Sequence, residues 1–128
     1  MEESFLYYTV FPVLLGDARS AGRVARDIYC RHGRESHWIG HGFSLYTAIY
    51  ARRHSLPASE CYGSLTVRRL LDLAKEQRHG SALLCLIPCC EEAEGFLERE
   101  REALEDRYVI LPLPPRGCDP LSPLVLAR

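Results

Sequence analysis

Phe11-Pro12-Val13-Leu14-Leu15-Gly16-Asp17-Ala18-Arg19-Ser20-Ala21-Gly22, running on to His32-Gly33, decides how the chain is read. Val13-Leu14-Leu15 is a continuous apolar run of the kind a strand covered on both faces needs. The run breaks at Gly16-Asp17 and a helical period follows, with Ala21, Val24, Ala25, Ile28 and Tyr29 on one side. Ser20 is expected to cap this helix and Gly33 to stop it. Strand, tight turn and amphipathic helix make half of a βαβ unit. In open parallel sheets, ligands bind beyond the carboxyl ends of such strands, where the first N–H groups of the next helix point. The loop at residues 16–22 is therefore the first place to look for function.

Outward from this stretch, the pattern alternates. Residues 4–15 supply the first strand, and Pro12, which cannot donate to a ladder, should sit near its start or face away from a neighbour. Ser36-His37-Trp38-Ile39 falls where a second parallel strand is due. Residues 43–50 read as a short helix with Leu45, Ala48 and Ile49 on one face, and residues 53–56 as a brief edge strand stopped by Pro57. A helix then begins at Ser64, with Val67, Leu70, Leu71 and Ala74 in register, and ends at His79-Gly80. Residues 82–87 make an apolar strand. A charged helix runs from Glu91 to about Asp106 with Ala93, Phe96, Leu97 and Leu104 as its inward stripe, and residues 108–111 make the last strand. Pro112, Pro114, Pro115, Pro120 and Pro123 disfavour regular structure beyond.

Strands alternating with helices require a parallel sheet covered on both faces by right-handed crossovers. The expected fold class is α/β: a single Rossmann-like three-layer α/β/α domain with a mainly parallel sheet of four or five strands. Residues 1–115 form that domain, and residues 116–128 a proline-rich linker or tail. Its length of 128 residues allows one domain, and 47% hydrophobic with 26% charged residues is ordinary for a globular chain. A net charge of −1 gives no electrostatic case for nucleic acid or an anionic membrane. Acids at Glu2 and Glu3 do not suit a signal peptide, so a cytoplasmic location is expected, with the six cysteines reduced. A short strand at Arg53 would leave an edge open to pairing in a homodimer.

Candidate chemistry is sparse. The first loop lacks both the GxGxxG spacing of a dinucleotide site and the Gly-Lys-Ser/Thr of a P-loop. Ile39-Gly40-His41 stands where a ribose-holding acid would be needed, which demotes nicotinamide binding. A purely structural explanation assigns Gly16 to the turn, Ser20 to the cap, and Gly22 to close approach of helix and sheet. Cys30, His32, His37 and His41, and separately Cys85, Cys89 and Cys90, cluster without the paired spacing of a zinc site, so no metal site is assigned. Cys89 or Cys90 would open a helix whose dipole lowers a thiol pKa, but no partner base is identifiable.

Leu14-Leu15-Gly16-Asp17, followed by Val24-Ala25-Arg26 and His32-Gly33, resembles the opening of the N-terminal (pre-ATP-grasp) domain of ATP-grasp carboxylate–amine ligases. The resemblance returns at Leu86-Ile87-Pro88-Cys89-Cys90-Glu91-Glu92 and in the Leu104-Glu105 pair that ends the helix. It covers about residues 10 to 114. Glu91 stands where the family has an aspartate, and two cysteines precede it. The resemblance implies an enzyme that activates a carboxylate with ATP as an acyl phosphate, which an amine then attacks. ATP and Mg2+ would be held by downstream ATP-grasp domains of a longer ligase, since this chain ends where the family continues. The chain alone would bind no cofactor and supply no catalytic residue. Its part would be to hold the small-molecule carboxylate through Gly16, Asp17, Arg19 and Ser20 of the first loop and Pro88, Cys89, Cys90 and Glu91 of the later one. Both loops would open helices whose amides suit an anion. The alternative is a stand-alone small-anion binding or regulatory module of flavodoxin-like shape.

Overall fold

Five strands, β1 (Val10–Leu15), β2 (Ser36–Gly40), β3 (Ala51–Ser55), β4 (Leu83–Pro88) and β5 (Val109–Ile110), form one all-parallel sheet in the order β3-β2-β1-β4-β5. The computed structural model describes residues 10–77 and 83–126. The expected strand residues 4–9, Ala82, and the helix stop at His79-Gly80 lie outside them. β1 is central because both its faces are apolar. Val10 and Leu14 pack under α1 (Ala18–His32), while Val13 and Leu15 face α3 (Ser64–Gln77) and α4 (Glu91–Arg99). The result is the Rossmann-like α/β/α domain. The ladder to β2 begins only at Val13, so Pro12 lies on the part of β1 that β4 alone pairs.

Local capping departs from expectation at the decisive turn. Asp17, not Ser20, is the N-cap of α1: its carboxylate accepts from the Ser20 N–H at 3.0 Å. An aspartate in extended backbone just before the first turn does this as well as a serine, and Ser20 sits inside the helix. Gly33 ends α1 with its N–H on the Tyr29 carbonyl. Gly22 serves close approach to a different partner than expected. A Cβ there would lie 2.9 Å from Ser44 Oγ and 3.0 Å from Tyr46 Cβ, so the glycine seats α1 against α2 (Leu45–Tyr50) rather than the sheet. That contact turns Thr47 inward, and the predicted apolar face of α2 looks out: Leu45 is 64% and Ile49 54% exposed.

The charged helix is two helices. α4 stops at Arg99, and α5 (Arg101–Leu104) restarts after Glu100, so that Ala93, Phe96, Leu97 and Leu104 all reach the core. The tail also differs from the irregular segment expected. Residues 122–126 form α6 (Ser122–Leu126), and Leu121 and Leu124 are buried with Cys85, Ile87 and Leu111. The tail thus joins α1 in covering that side of β4. Asp119 anchors the tail to His32 Nε2 at 2.9 Å, and Arg31 Nη2 donates to the Gly117 carbonyl at 3.0 Å. Leu121→Ala is expected to lower stability by about 2–4 kcal/mol, read from the urea midpoint; an unchanged midpoint would mean the tail does not pack.

A histidine pair bridges the β2–β3 edge. His37 Nδ1 lies 3.1 Å from His54 Nε2, and its ring stacks on Phe11 with centroids 4.1 Å apart. Burial, then the neighbouring His54 and Arg52, push the His37 pKa down to about 4, and burial lowers that of His54. The unfolded imidazole protonates near pH 6.5, so between about pH 6.5 and 4 the unfolded chain binds more protons and stability falls with pH. Wild-type protein should therefore lose roughly 1–3 kcal/mol over that window that His37→Leu retains. Denaturant titrations of both proteins at pH 7 and pH 4.5 measure the difference, and parallel losses would refute it.

Candidate functional site

β2 and β3 lie on one side of β1, β4 and β5 on the other, so the chain reverses direction across the sheet between β1 and β4. The carboxyl ends of those two strands form the crevice where such sheets bind ligands. Leu15 pairs in register with Pro88, and the Cys89 N–H donates to the Leu15 carbonyl at 2.8 Å, carrying the ladder one residue past the strand. Gly16 lies against Cys89, and a Cβ at 16 would be 3.0 Å from the Cys89 Cβ. On the other side, the buried Trp38 indole donates from Nε1 to the Gly16 carbonyl at 3.0 Å. Gly40 makes room for that bond: a Cβ there would sit 2.7 Å from Trp38 Nε1 and 2.8 Å from the Gly16 oxygen. A ribose-binding acid at position 40 is sterically excluded.

The structure brings Gly16, Asp17, Pro88, Cys89, Cys90 and Glu91 to this edge, on the loops that leave β1 and β4. Gly16, Pro88 and Cys89 are buried, while Asp17 and Glu91 are exposed. Ser20 lines a narrow recess of about 70 Å³ with Cys89, whereas Arg19 turns to a wider cleft on the flank of α1. Partial burial pushes the Asp17 carboxyl up, but the N–H and hydroxyl of Ser20 outweigh it and hold the pKa below the usual carboxylate value. Burial pushes the Cys89 thiol up, and Cys90 and Asp17 add to the rise. Burial thus disfavours the thiolate form of Cys89 at the wall of the crevice.

The two helix starts that were expected to offer amides to an anion differ in what stands beside them. Asp17 already accepts from the Ser20 N–H at the start of α1. α4 carries Glu91, Glu92 and Glu94 in its first turn, and its N-cap, Cys90, makes no side-chain capping bond. Asp17 therefore takes one amide at the start of α1, while at α4 the three glutamates set negative charge beside a start whose amides no side chain caps.

Sequence reasoning missed Tyr62. It has φ +63°, a left-handed conformation that costs a non-glycine residue about 1–3 kcal/mol. Its N–H is held by Thr66 Oγ1 at 2.8 Å, and its hydroxyl lies 3.5 Å from Cys90 Sγ. Burial raises the phenol pKa, with further contributions from Cys90, Glu92 and Asp17 that show how closely the three loops converge. No local pattern marks a tyrosine for this backbone. Beyond it, a cavity of about 490 Å³ opens between α3 and the end of α4, lined by Tyr62, Val67, Leu71 and Arg99 and by none of the loop residues named from sequence. His41 Nδ1 approaches Cys61 Sγ at 2.9 Å, and burial raises that thiol too. Among the described residues, no three His, Cys, Asp or Glu side chains form a group able to hold a metal ion, and no helix is long and apolar enough to cross a membrane.

No protein-family model, curated protein or solved structure matches this chain. Alkylation of the native protein at neutral pH should modify the exposed Cys30 and Cys118 first, with Cys85 and Cys89 reacting only after denaturation. Peptide mass spectrometry reads the order, and early labelling of Cys89 would show an open crevice floor.

Proposed function

We propose that this chain is the substrate-side N-terminal domain of an ATP-grasp carboxylate–amine ligase. The observation that supports the reading is a convergence. Residues 14–17 and 86–92, the two stretches that carry the resemblance, are far apart in sequence and adjacent at the β1/β4 crevice, bonded through Leu15 and Cys89. A ligase of this kind activates a carboxylate as an acyl phosphate, which an amine then displaces.

In this reading the domain forms one wall of the active site. Asp17 and Glu91 accept hydrogen bonds from the amine or hydroxyl hydrogens of the substrate. Arg19, the one cation among the loop residues, faces the flank of α1 and takes no part in this wall. Pro88 and Cys89 give an apolar floor that keeps water from the reacting group. The residues of this chain do not themselves suit Mg-ATP: the first loop has neither phosphate-binding glycine pattern, and the described residues lack a metal-holding acid cluster. Nucleotide binding is left to downstream domains, and the cytoplasm, where ATP and thiols are maintained, is the proposed location.

Calorimetry of the 128-residue chain with Mg-ATP is expected to show no magnesium-dependent binding stronger than the millimolar range. The coding sequence past Arg128 should specify a lysine-bearing nucleotide-binding region. Micromolar, magnesium-dependent binding by this chain, or a native product of only 128 residues, would sink the assignment.

A further inference from the structure

Arg19, Arg23 and Arg26 recur at four- and three-residue spacing on α1, which sets them in one row along the helix. The docked tail brings Arg116 across from them. These four guanidinium groups, with Tyr46 and a single carboxylate, Asp27, line a cleft of about 720 Å³. Its tail wall is built rather than incidental, because Gly117 and Asp119 are bonded to Arg31 and His32, and Pro120 and Leu121 are buried. The cleft continues past Arg23, Asp27 and Arg116 into the small recess beside Cys89.

Among the described residues, none of the four arginines is in an ion pair. Arg26 lies over the Tyr46 ring at 5.3 Å, a face contact that leaves the guanidinium edge free to donate. Four cations against one carboxylate leave a formal excess of +3 in a chain whose net charge is −1. Such a cluster repels itself until a multivalent anion joins it. At 1.5 Å per residue, Arg19 to Arg26 covers roughly 10.5 Å of helix axis. One compact anion reaches only part of that row, while an extended one with several charged centres reaches all of it.

We propose that this cleft binds a small polyanion bearing a chain of phosphoryl groups, whether an inorganic oligophosphate or the phosphates of a nucleotide. The inference stands on the α1–tail cleft and does not depend on the ligase reading. Magnesium separates the two: it competes with arginine for phosphoryl oxygens, so it weakens binding here, whereas an ATP-grasp nucleotide site requires it.

The test is calorimetry of the whole chain in EDTA with inorganic tripolyphosphate and with ATP, against orthophosphate and citrate. Tripolyphosphate is expected to bind at least tenfold more tightly than orthophosphate or citrate, and added salt should weaken it. Arg23→Ala and Arg116→Ala should each weaken it about tenfold, and Arg107→Ala, outside the cleft, should not. ATP binding tighter than tripolyphosphate names a nucleotide as the source, and equal or weaker binding names the free phosphate chain. Should either variant melt early, side-chain Nε–H resonances of Arg19, Arg23, Arg26 and Arg116 in wild-type protein, shifting on titration, carry the same test. Tripolyphosphate no tighter than orthophosphate or citrate, binding indifferent to both folded variants, or unmoved arginine resonances would overturn the proposal.

Discussion

The hydrogen bond from the Cys89 N–H to the Leu15 carbonyl is the constraint on which the crevice rests. A buried backbone carbonyl at the end of a central strand must find a donor, and this one takes it from the loop of the neighbouring strand. The β1 and β4 loops are thereby held at one height. On the opposite side, Trp38 supplies the donor that Gly16 needs. Both carbonyls are thus satisfied, and the space around them is tight: a side chain at position 40 would collide with the indole and the Gly16 oxygen, and one at position 16 would press on Cys89.

Most of the fold was legible because central parallel strands and amphipathic helices carry their own patterns. Val13-Leu14-Leu15 and residues 83–87 are apolar without alternation, as two-sided burial demands, and the α1 stripe of Ala21, Val24, Ala25 and Ile28 is the buried one. What failed needed knowledge of the partner. The apolar side of α2 is visible in sequence, but whether it faces in depends on where Gly22 lets α1 approach. Leu121 and Leu124 were read as tail because prolines surround them, while the side of β4 that they help to cover is a property of topology.

The site was legible only in part, and for a related reason. Sequence spacing located the two loops, since strand ends and helix starts are local features. It did not place Tyr62 between them, because its left-handed backbone is imposed by Thr66 and the turn at Glu60 rather than by its own preference. Nor did it separate Arg19 from its loop neighbours. Residues 17 and 19 are two apart on a helix start, which sends their side chains to different faces, one to the crevice and one to the flank of α1.

Net charge hid the most informative electrostatic feature. A total of −1 conceals acids gathered at the start of α4 and arginines gathered along α1 and the tail. The two gatherings have different physical standing. Carboxylates at helix starts are favoured by the helix dipole, and Asp17 also accepts from the Ser20 N–H, so Asp17 and the α4 glutamates are stabilised where they sit. The arginines of α1 have no such answer: three run along the helix from its first turn to its middle, and the fourth is carried to them by a segment anchored on either side by His32 and buried leucines. An arrangement that self-repels and yet is assembled from two distant parts of the chain is explained by a partner of opposite charge more readily than by folding alone. The positive end of α1 is consumed internally by Asp17, so attraction for an anion passes from the backbone of that helix to its side chains. Recognition by flexible guanidinium groups rather than fixed amides is screened by salt and tolerant of shape, which suits a linear polyanion better than a single small anion.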